Sequence, residues 1–445
     1  MKLFASQLQL FYFEWENGMQ AIGIDIGTTG ICGVVLDTET GETLQSVTKN
    51  SEAFLNSAFD WEKIQSVEKI MDMAGEILDG LISQQTEVIG VTGQMHGIVY
   101  VDENGESVSP LYTWQDGRGN QPFGDTTYAE FLGSSSGYGN VTDFYNRKNG
   151  LVPKSAVGFC TIQDYFVMRL CGLKKALVHI SDAASFGLFD LKEKRFTCES
   201  NIEVIDGYRI AGTYKNIPVS VAIGDNQASV LASLSSENEL LINVGTGSQV
   251  SVLCNDIIMA ENIECRPFFE GKYLAVGAAL CGGRAYALLK DFYKAIVFSV
   301  AETDDAAIYA LMDSFLRKEG ESLSVDTRFA GTRADKTVRG SICNISTENF
   351  TPAALTKGVL EGMARELYEL YLRMNVNIGG IVGSGNGIRK NKALAEAVRN
   401  LFGYSLKIPC HTEEAAFGAA LFGMISCGCC KNMAQAGKFI KYKVV

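Results

Sequence analysis

The first clear pattern in the chain is an apolar run from Ala21 to Ile26, a polar glycine turn at Gly27-Thr28-Thr29-Gly30, and a second apolar run from Ile31 to Leu36. Bounded apolar runs of this length predict buried strands, and the short turn between them predicts a hairpin. The same grouping returns at Leu240 to Val244, Gly245-Thr246-Gly247-Ser248 and Gln249 to Leu253. Two hairpins with one turn chemistry suggest an internal duplication, hence two related domains.

Between and after the hairpins the pattern alternates strands with helices. Helical apolar spacing over Trp61 to Leu81 predicts a helix, and Val88 to Thr92 and Ile98 to Val101 read as strands, the latter closing on the turn Asp102-Glu103-Asn104-Gly105. Residues 119–150 are rich in Gly, Ser, Asn and Asp and lack apolar periodicity, which predicts a surface excursion. Thr161 to Leu170 reads as a helix. In the second half, Ala353 to Met374 predicts a long helix, Ile378 to Val382 a strand, and Gly383 to Phe402 a glycine turn opening one helix. Ala415 to Met424 predicts a last helix of small residues, able to approach a neighbour closely. The expected boundaries are 1–18 for an N-terminal extension, 19–233 for a first domain and 234–445 for a second.

Composition narrows the class. A chain of 445 residues with 47% apolar content can build more than one core. The net charge of −12 and the lack of long Lys or Arg runs argue against a nucleic-acid partner. No stretch offers the roughly 18–20 apolar residues of a membrane span, so no membrane partner is expected. The start superficially resembles a signal peptide, but Glu14, Trp15 and Glu16 stand where a small-residue cleavage site should lie, so residues 1–18 read as an appended segment or a mis-called start. Twelve cysteines scattered through a long chain read as reduced thiols, which places the protein in the cytoplasm. Only Cys427, Cys429 and Cys430 cluster, and nothing elsewhere completes a zinc-binding pattern.

Several segments carry candidate chemistry. Asp25-Ile26-Gly27-Thr28-Thr29 sets a carboxylate at a strand end, next to glycine and hydroxyls, which suits a magnesium-bound triphosphate. Read alone it could be an ordinary hairpin turn; the second turn, Gly245-Thr246-Gly247, strengthens the phosphate reading. Gly383-Ser384-Gly385-Asn386-Gly387, between a strand and a helix, fits a nucleoside-contacting loop. Ala222 to Ala228 ends an apolar strand in Asp225, Asn226 and Gln227, making Asp225 a candidate general base for a sugar hydroxyl, against the plainer reading of a helix cap. Gly93-Gln94-Met95-His96-Gly97 offers an amide, an imidazole and an apolar surface that can orient a polyol. Thr113-Trp114-Gln115-Asp116-Gly117-Arg118 adds an aromatic face and charged groups; its plain alternative is a surface turn with an Asp/Arg pair.

In this order the segments resemble the FGGY carbohydrate kinases, a branch of the actin-like ATPase superfold, over about residues 20 to 425. The resemblance implies an α/β fold of two actin-like ATPase (ribonuclease H-like) domains with a catalytic cleft between them, and ATP and Mg2+ as cofactors. It implies that Asp25 organises the magnesium through water or phosphate. Gly27, Thr28, Thr29, Gly245, Thr246, Gly247 and Gly282 would hold the phosphates, and Gly385 and Asn386 the adenosine. Asp225 would be the base, with Gln94, Met95, His96, Trp114, Asp116, Arg118 and Asn226 on the sugar. Thr161-Ile162-Gln163-Asp164-Tyr165, Ala184-Ser185-Phe186-Gly187, Gln249 and Tyr273-Leu274-Ala275-Val276 resemble the members that phosphorylate the seven-carbon ketose sedoheptulose more than the pentulose kinases. The implied product, sedoheptulose 7-phosphate, would feed the pentose phosphate pathway. A small sugar is the expected partner, and a homodimer is compatible with the resemblance. Ser384 departs from the glycine usual there, 119–150 is shorter than usual, and 1–18 has no counterpart. The rival class is an actin-like or chaperone-type ATPase, which shares both phosphate hairpins but gives no reason for the sugar loop.

Overall fold

The computed structural model describes residues 18–333 and 335–445; apart from Gly18, the N-terminal extension lies outside them. The chain forms two compact units, one running up to Ala232 and including Glu413–Ile440, the other Ser233–Thr412 with Lys441–Val445.

In the first unit the opening hairpin is β1 (Gln20–Ile26) and β2 (Gly30–Asp37), paired antiparallel from Gln20↔Asp37 to Ile26↔Ile31. β3 (Thr43–Asn50) extends it antiparallel. After helix α1 (Val67–Leu81), β4 (Thr86–Gly93) returns parallel to β1. A helix α2 (Ile162–Leu170) follows, then β5 (Ile210–Tyr214), β6 (Ile217–Ser220), the short β7 (Ile223–Gly224) and helix α3 (Asp225–Ser233). Among the described residues the sheet has seven strands in the order β5-β6-β4-β1-β2-β3, with β7 beside β4. Its core is β-branched and aliphatic, including Ile22, Ile24, Ile89 and Val91 against Ile70, Ile77 and Leu78 of α1.

The second unit repeats this plan. Here β8 (Glu239–Val244) and β9 (Ser248–Cys254) make the hairpin, β10 (Ile263–Pro267) and β11 (Tyr273–Ala279) extend it, and helix α4 (Gly282–Phe298) follows. The long helix α5 (Pro352–Met374) leads to β12 (Gly380–Ser384), helices α6 (Gly385–Lys390) and α7 (Lys392–Phe402), and β13 (Leu406–Pro409). β11-β9-β8-β12 matches β3-β2-β1-β4 in order and direction, with the hairpin antiparallel and the fourth strand parallel to the first. The two similar turns therefore belong to two sheets of one topology.

Local departures from the sequence pattern have identifiable causes. α1 begins at Val67 rather than Trp61, because Ser66 caps it by accepting from the Lys69 N–H and Gln65 is drawn into a short antiparallel pair with Leu111. The segment read as one helix through Phe402 is two, since Asn391 leaves helical geometry and caps α7 by accepting from the Leu394 N–H. Residues 119–150 are not a bare excursion. They fold helices Tyr128–Phe131 and Gly139–Lys148 over a small aromatic cluster of Tyr128, Phe123, Phe144 and Val141, in which ring contacts replace a periodic aliphatic stripe.

The last long helix, α8 (Glu414–Ser426), follows the second unit in sequence but packs on β1 and β4. Its approach is backbone on backbone: a Cβ at Gly23 would lie 1.9 Å from the Ala416 carbonyl oxygen, and one at Gly90 1.8 Å from that of Ala419. A side chain at either position forces the helix off the sheet. Gly90→Ala is expected to lower the unfolding free energy by about 3 kcal/mol or more. Gly75→Ala, in α1 with nothing within 4 Å of the added methyl, is expected to raise it by about 0.5–1 kcal/mol. Urea titration of the two variants beside the parent checks both signs.

Candidate active site

Three neighbouring parallel strands of the first unit end together. In register, Asp25-Ile26 of β1 lies beside Thr92-Gly93 of β4, which lies beside Ile223-Gly224 of β7. The chain leaves these ends as the Gly27-Thr28-Thr29 turn, the Gln94-Met95-His96 loop and the Asp225-Asn226 helix start. Open α/β sheets bind ligands at the carboxyl ends of their parallel strands, and here those ends carry carboxylates, amides and hydroxyls.

Hydrogen bonds tie the segments to one another. Thr28 Oγ1 donates to Gln94 Oε1 at 3.3 Å and accepts from Trp114 Nε1 at 3.0 Å. The Gln94 N–H donates to the Ile26 carbonyl at 2.9 Å, and Gln94 Nε2 to Gln65 Oε1 at 2.9 Å. Gln65 in turn donates to the Thr28 carbonyl at 2.7 Å. Thr29 is exposed at the turn, its carbonyl accepting from the Ser51 N–H. The Trp114 ring is 47% exposed, a large aromatic face held beside the glycine turn. Met95 is buried against Gly224, where any Cβ would meet its sulfur at 2.7 Å.

His96 has φ +72°, an uncommon conformation for a residue with a side chain. Ser185 holds it there: its Oγ accepts from the His96 N–H at 3.0 Å, and its carbonyl lies 2.7 Å from Nδ1. A carbonyl only accepts, so Nδ1 carries the proton in that contact. The imidazole also stacks on Tyr138, with centroids 4.2 Å apart.

The carboxylates are crowded. Asp25 Oδ1 is buried without a hydrogen-bond partner among the described residues. Burial, then Asp225 and Glu413, push the Asp25 carboxyl up to about 7. Asn226 Oδ1 is likewise buried without a partner among the described residues. A ligand bearing positive charge and donors would relieve both.

Asp116 and Arg118 are tied to each other. Both are buried, and Arg118 Nε pairs with Asp116 Oδ1 at 2.6 Å. The other Asp116 oxygen accepts from the Lys63 N–H at 3.0 Å, while Arg118 also contacts Asn146 and Glu62 and lies 4.1 Å from the Tyr112 ring centroid. Rather than a surface turn, the pair is an internal tie that anchors the loop carrying Trp114.

In the second unit the expected nucleotide residues also meet. The exposed turn at Gly245, Thr246 and Gly247 is braced by the start of α4, the Gly283 and Arg284 N–H groups donating to the Gly245 and Thr246 carbonyls at 2.9 and 3.0 Å. Gly282 is required there, since a Cβ would lie 2.3 Å from the Gly247 carbonyl carbon. Gly385, at φ +80°, passes over Val244 so closely that a Cβ would lie 2.5 Å from its carbonyl oxygen, and Asn386 beside it is exposed. Ser384 Oγ accepts from Asn243 Nδ2 at 2.8 Å, stitching the loop to β8.

Sequence reasoning gave no role to Gln65, Gln163, Asp164, Asp182 or Glu413. Gln163 Nε2 bridges the Gly93 carbonyl at 3.3 Å and Asp182 Oδ1 at 3.0 Å, at the end of β4 where the Gln94 loop begins. Asp164 and Asp182 are both buried, and each keeps one oxygen without a hydrogen-bond partner among the described residues. Burial raises both carboxyls, and the charge of Asp164 raises Asp182 further. Gln163, Asp164 and Ser185 do fall in phrases that carried the family resemblance, but Gln65 gives no signal before the chain folds.

Comparison with known proteins identifies the family and the fold. Residues 20–125 match the FGGY family of carbohydrate kinases, N-terminal domain, and residues 240–427 match the C-terminal domain of that family. The chain is 28% identical to a sedoheptulokinase of Mus musculus, covering 90% of this chain and 96% of that protein. It is 24% identical to a xylulose kinase of Staphylococcus xylosus, covering 90% and 89%. A ligand-bound xylulose kinase from Lactobacillus acidophilus superposes with TM-score 0.80 at 18% identity, over 96% of this chain and 93% of that one. The fold is thus that of a two-domain sugar kinase of the actin-like ATPase type. The chain belongs to the FGGY family of carbohydrate kinases, and it is an enzyme that phosphorylates a small sugar.

The buried acids make stability depend on pH. A carboxyl whose folded-state pKa is raised stabilises the fold fully below its unfolded value near ~4. That contribution is lost as pH rises through the folded value, about 7 for Asp164. Asp182→Asn removes one titrating group and the like charge beside the other. Denaturant titrations from pH 4 to 8 are expected to show the variant gaining on the parent as pH rises; a difference flat across that range counts against the buried pair.

Proposed function

We propose that this kinase transfers the γ-phosphoryl group of ATP to a terminal hydroxyl of a ketose, with Asp225 as general base. The observation that carries the reading is the meeting of Asp25, the Gln94-Met95-His96 loop and Asp225-Asn226 at the ends of β1, β4 and β7. A sugar hydroxyl is a poor nucleophile until its proton has somewhere to go, and a carboxylate within hydrogen-bond reach accepts it as the phosphoryl group transfers. Asp225 stands at the first turn of α3, between Asn226 and Gly224, the glycine that packs on Met95. Asn226, Gln94 and Trp114 offer hydrogen bonds and a flat face to orient the sugar.

Asp25, with its buried unpartnered oxygen, is the residue that fits a magnesium ion, held through water or phosphate. When bound, that ion supplies positive charge against the phosphoryl oxygens. Thr28, Thr29 and Gly27 are assigned to the phosphates on the same unit. Gly245, Thr246, Gly247 and Gly282 are assigned to phosphates on the second unit, where Gly385 and Asn386 are assigned to the adenosine. Asp116 and Arg118 support the sugar site by fixing the Trp114 loop.

For the acceptor, sedoheptulose is the first choice, giving sedoheptulose 7-phosphate. The support is the higher identity to a sedoheptulokinase than to a xylulose kinase at similar coverage. Xylulose or another pentulose is the second reading, supported by the xylulose kinase relative.

Asp225→Asn is expected to lower kcat by about 10²–10⁴-fold while nucleotide affinity, read by ADP titration calorimetry, stays within about twofold. Loss of nucleotide affinity instead would reassign the residue. A coupled ADP-release assay across sedoheptulose, xylulose, ribulose and glycerol is expected to give the highest kcat/KM with sedoheptulose. A higher value with xylulose selects the second reading.

A further inference from the structure

The Cys427-Gly428-Cys429-Cys430 segment ends α8 and takes no part in the proposed phosphoryl-transfer site. Cys427 is the C-cap of the helix, its N–H donating to the Gly423 carbonyl at 3.0 Å. Gly428 then turns at φ +87°, with nothing within 4 Å of where a Cβ would be. That left-handed step, easiest for glycine, folds the chain back so that Cys429 Sγ comes to 3.1 Å from Cys427 Sγ. The gap exceeds a disulfide bond, ~2.05 Å, by roughly 1 Å. Cys429 is exposed and Cys427 half-buried, so small reagents can reach the pair, whereas Cys430 is buried. Cys429 Sγ also donates to Glu87 Oε2 at 3.3 Å, a carboxylate at the start of β4. Among the described residues no group of three or more ligands is arranged to hold a metal ion. A paired dithiol beside a carboxylate is what the segment presents.

We propose that Cys427 and Cys429 form a reversible two-electron redox site that reacts with small-molecule disulfides of the glutathione class. The Cys427 thiolate attacks one sulfur of the oxidant, forming a mixed disulfide and expelling the first glutathione thiolate, which takes up the Cys427 proton. The Cys429 thiol, pushed up by burial, by Cys427 and by Glu87, keeps its proton until that stage. Glu87 then receives this proton, and the Cys429 sulfur attacks Cys427, closing the disulfide and expelling a second glutathione thiolate, to which the proton passes. The dithiol is oxidised, one glutathione disulfide is reduced to two thiols, and nothing else is consumed.

The test is peptide mass mapping of the full-length protein after incubation with glutathione disulfide, followed by alkylation of the remaining thiols. The expected result is a Cys427–Cys429 disulfide, with loss of two alkylatable thiols, that dithiothreitol reverses. Cys429→Ser is expected to stop at one glutathione adduct on Cys427, and Cys427→Ser to form no intrachain bond. Unchanged circular-dichroism melting establishes that both variants are folded. If Cys427 and Cys429 stay alkylatable while the exposed Cys343 is glutathionylated, or if the disulfide forms between other cysteines, the proposal fails.

Discussion

Backbone rests directly on backbone where α8 meets β1 and β4, because Gly23 and Gly90 leave the space that the Ala416 and Ala419 carbonyls occupy. A third contact of the same kind sets Gly418 against the Ala228 carbonyl of α3. Protein interiors transmit strain because they are close-packed, so one helix fixes two strands and the helix that begins with Asp225. The ends of those strands are where Asp25, the Gln94 loop and Asp225 come together. The positions of the reactive groups therefore rest on three residues that contribute no side chain at all.

The electrostatic character of the site follows from that packing. Asp25 is pressed into a poorly solvated position near Asp225 and Glu413, so its charged form is disfavoured. Near the Gln94 loop, Asp164 and Asp182 are likewise buried, and Asp182 is linked to Gly93 through Gln163. In contrast, the buried Asp116–Arg118 pair is internally neutralised and hydrogen-bonded on both sides, the condition under which buried charges persist. The two sets of buried carboxyls thus differ in whether a cationic side chain stands beside them.

Much of the fold was legible from local pattern. Both hairpins, the strand at Val88 to Thr92 and the long helix over Ala353 to Met374 follow from apolar runs and glycine turns, because burial of alternate elements imposes those periods. The start of α1 was not, since a hydrogen bond from the Lys69 N–H to Ser66 and strand pairing by Gln65 outweigh a helical apolar pattern over Trp61 to Ser66. Residues 119–150 hid a folded cluster because aromatic contacts among Phe123, Tyr128 and Phe144 leave no period in the sequence.

By itself the sequence determined the glycine turns and the residue types beside them at Asp25, Asp225 and Thr246, because local backbone freedom and side-chain chemistry are written residue by residue. Tertiary structure alone decided which residues come together within each unit. It buried Asp116 and Arg118 against each other, brought Gln65 to Gln94, set α8 on the first sheet, and folded Cys429 back on Cys427. The reason is physical: hydrogen bonds and desolvation depend on distances in space, and residues far apart along a chain acquire those distances only when their strands pair and their helices pack.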